Sequence, residues 1–158
     1  MGRTSAALIL ICVAAMAAPA SAWEVAPGQG GDFGARIAAI GTIKGPGGSM
    51  AKPVLSVTCG SGGLYATIAW PDPIPLKPNQ HFVPVTWSLD GASHSSSMLA
   101  TSGSVGLAGS EAKEWLREFV AAKVLQVRAP DAHGGQSASF DLTGAGAVQA
   151  GISRSACG

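Results

Sequence analysis

Charged residues are scarce in this 158-residue chain, and neither sign of charge is in excess. They make up 12% of the sequence, with ten Lys and Arg against nine Asp and Glu. Without a surplus of basic residues, the chain has no electrostatic footprint for nucleic acid or for an anionic membrane surface. We therefore expect neither a nucleic-acid partner nor an electrostatic attachment to a membrane.

The sequence also lacks the motifs of common hydrolases and nucleotide-binding enzymes. It has no G-x-S-x-G nucleophile elbow and no glycine-rich phosphate loop leading into a helix with lysine. Ser110 and Lys113 match the S-x-x-K pattern of penicillin-binding enzymes, but the companion S-D-N and K-T-G motifs are missing. His94 lies among serines, which a polar strand face explains. We predict no catalytic residue and no enzymatic activity.

Clustered metal ligands are missing as well. The three histidines, His81, His94 and His133, are far apart in the sequence. Asp131 and His133 share a glycine-rich turn, but no third ligand accompanies them, and aspartate is an ordinary turn residue. We predict no metal ion and no cofactor.

The N-terminal segment has the layout of a secretory signal. Arg3 precedes an apolar run from Ala6 to Ala18, and Pro19 precedes the small residues 20–22. The run is shorter than the roughly 20 apolar residues of a transmembrane helix. Bulky Ile11 before Cys12 argues against a lipoprotein signal. Residues 1–22 are therefore predicted to be a cleaved signal peptide, and residues 23–158 one exported domain, periplasmic or secreted, of a bacterium, with no membrane span after cleavage.

Few cysteines are present. Of the three, Cys12 leaves with the signal, so the exported chain retains Cys59 and Cys157. An even number of cysteines in an oxidising compartment predicts one disulfide between them.

Local patterns predict an α+β fold: an antiparallel β-sheet or partial barrel with two helices and one disulfide. Glycine turns and Asp90-Gly91 separate alternating segments of strand character, whereas the prolines of residues 71–78 predict a loop outside the sheet. Residues 36–40 fit a strand or a helical turn, and Pro84 favours an edge or a bulge. The predicted strands are 54–59, 64–70, 82–89, 93–99, 124–128 and 138–142.

Two segments show helical character. Ser110 is the predicted N-cap of a helix over residues 111–123, whose apolar face comprises Ala112, Trp115, Leu116, Phe119 and Val120. Thr143 is the predicted cap of a second helix that runs toward Ile152 and returns Cys157 to Cys59.

Tryptophans mark the predicted core. Trp70, Trp87 and Trp115 fall on apolar strand and helix patterns, which favours burial. Trp23 would begin the exported chain, where it either closes an open end of the sheet or anchors a partner.

Several short motifs resemble the VasI/TagO-like periplasmic proteins associated with type VI secretion. They are Trp23, residues 53–59, 85–91, 125–128 and 138–144, and the final Cys157. This resemblance implies a noncatalytic accessory protein that binds an envelope or secreted protein partner.

An alternative resemblance is to periplasmic lysozyme inhibitors, which are small, disulfide-closed β-proteins. It is carried by residues 57–59 and 100–103. An inhibitor presents a loop to the enzyme cleft, and Ser102 and Ser104 are the residues that fit this role.

Overall fold

The structure is a computed structural model that describes residues 22–27 and 30–158. The predicted signal peptide, apart from Ala22, lies outside the described residues, as does Cys12. Within the described ranges, no helix is long and apolar enough to cross a bilayer.

Short strands dominate the described part of the chain. They are β1 (Glu24–Pro27), β2 (Phe33–Ala38), β3 (Ile43–Lys44), β4 (Met50–Ala51), β5 (Val54–Gly60), β6 (Gly63–Ala69), β7 (Phe82–Leu89), β8 (Ala92–Thr101), β9 (Ser104–Ala108), β10 (Val124–Ala129) and β11 (Gln136–Asp141). The α-helices are α1 (Gly109–Phe119) and α2 (Ala145–Arg154), and Pro46–Gly48 forms a 3-10 turn.

Nine of these strands form a single antiparallel sheet in the order β1-β2-β5-β6-β9-β8-β7-β10-β11, and β3 pairs separately with β4. The predicted α+β class is confirmed, and the sheet is open rather than a closed barrel. Its two ends approach at one point, where the Ile40 N–H donates to the Ser139 carbonyl at 2.8 Å.

Turn chemistry sets the two long hairpins. Glycines join β5 to β6, as predicted, and Asp90-Gly91 joins β7 to β8 with φ angles of 47° and 93°. Positive φ at both central residues matches the right-handed twist of the flanking strands. The proline-rich segment 71–78 contains no strand, as predicted.

Pro84 lies in β7, between β8 and β10, yet it occupies a local edge. Strand β10 pairs only with Thr86–Leu89 of β7, so the chain beside Pro84 has no partner on that side. The missing N–H of proline therefore removes no ladder hydrogen bond, and the predicted edge position is confirmed.

One face of the sheet, called here the inner face, carries the core. Side chains alternate along each strand, and both helices pack their apolar residues on this face. The largest fully buried side chains include Phe119, Phe140, Ile37, Leu55, Ile68, Met98, Leu125, Leu142 and Ile152. The opposite, outer face carries many serines and threonines, together with the exposed Phe82 and Leu99.

The predicted limits of the first helix were wrong at both ends. The N-cap is Ala108, without a side-chain cap, and Ser110 lies inside the helix. Gly109 has a φ of 61°, which lets β9 turn directly into α1. The helix ends before residue 123 because the Asp90 carboxylate accepts hydrogen bonds from the N–H groups of Lys123 and Val124, at 2.9 to 3.1 Å. Val120 is exposed.

The second helix was also capped differently from the prediction. Its N-cap is Gly144, at a φ of 90°, without a side-chain hydrogen bond. The Thr143 N–H instead donates to the Asp141 carboxylate at 2.9 Å, so Thr143 belongs to the turn after β11. Beyond α2, Cys157 forms the predicted disulfide with Cys59 of β5.

Candidate functional site

A cleft of about 360 Å³ lies between α1 and β8. Its lining residues are Trp87, Ser96, Ser97, Leu107, Glu111, Glu114, Trp115 and Glu118. Three of the eight are carboxylates, and no lysine or arginine is among them. This surface combines negative charge, aromatic rings and hydroxyl groups.

The acidic wall of the cleft follows from helix geometry. Glu111, Glu114 and Glu118 are spaced three and four residues apart, which places them along one side of α1. The adjacent side carries Trp115 and Phe119, both buried in the core. Because these apolar residues fix the rotation of the helix, the three exposed glutamates are held toward the cleft.

Aromatic rings contribute to the lining of the cleft. Trp87 and Trp115 meet edge to face, with ring centroids 5.9 Å apart and planes at 77°. The other side of Trp87 stacks on the exposed His94, at 4.3 Å and 17°. The Trp87 indole N–H donates to the Ser96 hydroxyl at 3.1 Å, which fixes the ring orientation.

Trp115 differs from Trp87 in its hydrogen bonding. It is 3% exposed, and its Nε1 has no acceptor among the described residues. A buried donor without an acceptor destabilises the free protein by about 1–3 kcal/mol.

The backbone of β8 is open on the side of the cleft. Strand β9 pairs only with Leu99–Thr101 of β8, and β7 occupies the other side of β8. In the β7–β8 hairpin, Leu89 and Ala92 close the two-residue turn, so the N–H and C=O groups of Ser93, Ser95 and Ser97 point away from β7. No hydrogen bond from the rest of the described chain reaches these six groups. The open edge therefore runs over residues 92–98.

The S-x-x-K pair has no catalytic geometry. Ser110 is exposed in the first turn of α1, and the Lys113 ammonium group donates to the Cys157 carbonyl at 3.3 Å. His94 stacks on Trp87 and makes no hydrogen bond with the neighbouring serines among the described contacts.

Asp131 organises a turn. Its carboxylate accepts hydrogen bonds from the N–H groups of His133 and Gly135, at 2.7 and 2.8 Å. The bond from Gly135 is the main cause that lowers the pKa of Asp131 below its ordinary value. No group of three or more potential metal ligands occurs in the described part of the chain.

The serines of the inhibitor resemblance lie at the β8–β9 turn. The carbonyls of Ser102 and Gly103 accept hydrogen bonds from the N–H groups of Ile74 and Trp70, both at 2.9 Å. Ser104 bonds the Thr101 hydroxyl. This turn is therefore fixed against the proline-rich segment and is not a free protruding loop.

The remaining tryptophans belong to the core. Trp70, like Trp87 and Trp115, is buried, as predicted. Trp23 is half-buried and packs against the core beside Gly144, which agrees with closure of an open end of the sheet.

The sequence did not predict that these residues come together in one cleft. The spacing of Glu111, Glu114 and Glu118 was a visible signal for an acidic helix side. The open edge of β8 had no such signal, because it depends on where β9 leaves β8.

Comparison with protein-family models, curated proteins and solved structures gives no match to this chain.

Proposed function

We propose that this chain is an exported, noncatalytic domain that binds a protein partner in the cleft between α1 and β8. The observation that carries the proposal is the composition of this cleft: two tryptophans and three carboxylates meet Ser96 and Ser97 of the open strand edge. Tryptophan is enriched where proteins bind one another. The Cys59–Cys157 disulfide fits a protein that works outside the cytoplasm.

The resemblance to VasI/TagO-like proteins gives this proposal a biological setting. Its motif over residues 85–91 includes Trp87 of the cleft. In this setting the protein is a periplasmic accessory factor, and its partner is a component of the bacterial envelope or of a secretion apparatus.

The proposal is tested by capture from an envelope extract of the source bacterium. The bait is the exported protein, beside Glu114→Gln/Glu118→Gln as the cleft variant and Glu24→Gln on β1 as the control. We expect the native and control proteins to capture the same partner, and the cleft variant to lose it.

The identity of the captured protein separates the candidate roles. A secretion-apparatus component supports the accessory role, whereas a lysozyme that is inhibited on binding favours the inhibitor role. Equal capture by the native protein and the cleft variant contradicts the assignment of the site. A hydrolytic activity that disappears in Ser110→Ala contradicts a noncatalytic function.

A further inference from the structure

We propose that the cleft binds an extended, lysine-rich segment of the partner, which adds as a strand to the open edge of β8. The inference rests on the proposed binding function and specifies how the partner is recognised. Its elements are the unpaired backbone of β8, the acidic side of α1 and the tryptophans between them.

The backbone of β8 supplies the first part of recognition. Ser93, Ser95 and Ser97 direct three N–H and three C=O groups away from β7, along the open edge, and these groups are unpaired in the described structure. Ser97 also lines the cleft. A strand of at least five residues pairs with all of them. Such main-chain pairing gives affinity without requiring a particular side chain, as in other cases of strand addition.

Dimensions and charge supply the second part. Residues 93–97 span about 13 Å of strand. Glu111, Glu114 and Glu118 span about 10 Å of helix. In an added strand, alternate residues point toward the inner face, about 7 Å apart, so two or three lysines face the three carboxylates.

The aromatic rings suit the same side chains. A lysine reaching the carboxylates lays its methylene groups along those parts of Trp87 and Trp115 that line the cleft. Acidic segments are rejected, because each would face three carboxylates of the same sign.

A second copy of this chain is a poor occupant of the cleft. Pairing of two β8 edges would bring the α1 of each copy, with the same three glutamates, against the other copy. Like charges would then face each other without a cation among the lining residues.

The test is calorimetric titration with an end-capped peptide of sequence Thr-Lys-Thr-Lys-Thr-Lys-Thr, beside its glutamate counterpart. Ser95→Pro removes an N–H that faces the open edge and leaves the β7 ladder intact. Ser137→Pro is the matched control, because its N–H faces the free side of β11. Circular dichroism verifies that both variants are folded.

We expect the lysine peptide to bind the native protein and the Ser137→Pro control equally. Ser95→Pro is expected to weaken binding at least about tenfold, through loss of a hydrogen bond and obstruction of the edge. Glu114→Gln/Glu118→Gln is expected to weaken binding and to reduce its dependence on salt.

Four outcomes overturn the inference: no binding of the lysine peptide, equal binding of the glutamate peptide, equal affinity in Ser95→Pro, or a dimer of the native protein that Ser95→Pro dissociates. Partner capture that survives in Ser95→Pro rejects strand addition while the binding function stands. Loss of capture in Glu114→Gln/Glu118→Gln, without binding of the lysine peptide, rejects this inference while the proposed binding function stands.

Discussion

Strands β5 and β8 both lie inside the same sheet, but their backbones are paired to different extents. Strand β5 pairs along nearly its whole length with β2 on one side and β6 on the other. Strand β8 pairs with β7 from Ala92 to Leu99, whereas residues 92–98 have no strand on the other side. The β5 region also carries the disulfide, so it combines the features that stabilise the fold. The open part of β8 instead lies beside a cleft that carries three exposed glutamates.

The outer edges of the sheet strengthen this comparison. Strand β1 has four residues and ends at Pro27, and β11 is partly covered where Ser139 accepts the Ile40 N–H. Short length, proline and coverage are the means by which proteins prevent strand edges from pairing with other chains. The open edge of β8 spans seven residues without lysine or proline. We infer that the neighbouring cleft determines which chains can pair with this edge.

The largest expected effect lies in the β5 region. Cys59→Ala/Cys157→Ala opens a loop with a sequence separation of 98 residues. The chain-entropy model gives a loss of about 4–5 kcal/mol in the free energy of unfolding. Urea denaturation measures it, and reduced native protein is the control. A change below about 1 kcal/mol would show that the disulfide contributes little to this region.

The packing of α2 on β2 provides the next test. A Cβ at Gly151 would overlap the Phe33 ring, whereas one at Gly146 in the same helix meets open space. Gly151→Val is expected to lower the free energy of unfolding by about 2–3 kcal/mol. Gly146→Ala is expected to raise it by about 0.5–1 kcal/mol. Thermal and urea denaturation distinguish the two, and equal effects would contradict the packing described.

In the cleft, Ser96→Ala removes the acceptor of the Trp87 indole N–H. The expected loss in the free energy of unfolding is about 1 kcal/mol. Ser97→Ala is the neighbouring control and is expected to change it by less than about 0.5 kcal/mol. A loss with Ser97→Ala as large as that with Ser96→Ala would argue against the hydrogen bond.

The smallest effect concerns Asp131, outside both regions. Hydrogen bonds to its carboxylate lower its pKa in the folded state below the ordinary value of 3.8. The resulting stabilisation is therefore present above pH 3.8 and is lost as the pH falls through the lowered pKa. Asp131→Asn is expected to destabilise the protein at neutral pH and to lose this effect in acid, as measured by urea denaturation at several pH values. A difference independent of pH would contradict the assignment.

Local sequence predicted those features of the fold that local chemistry determines. Asp90-Gly91 and the glycines after Cys59 identified the two hairpins, and the apolar side of α1 was recognised from its spacing. The ends of α1 were not predictable, since Gly109 and the distant Asp90 carboxylate set them through the tertiary fold.

The candidate site depended still more on tertiary structure. Gly106 is the last residue of β9 paired with β8, and a Cβ there would meet the Ala66 carbonyl oxygen at 2.5 Å. The absence of a side chain at Gly106 allows β9 to lie this close to β6, and β8 has no partner on this side beyond the Leu99–Gly106 pair. The serines, glutamates and tryptophans were visible in the sequence. They lie close together only because β8 and β9 diverge at this point.

Hydrogen exchange at the backbone of β8 tests the central claim most directly. In the free protein, the N–H groups of Ser93, Ser95 and Ser97 are predicted to exchange rapidly, whereas those of His94 and Ser96, which pair with β7, exchange slowly. The lysine peptide is predicted to protect the first three selectively. Slow exchange of these three groups in the free protein, or exchange that bound peptide leaves unchanged, would contradict an open edge that binds a partner strand.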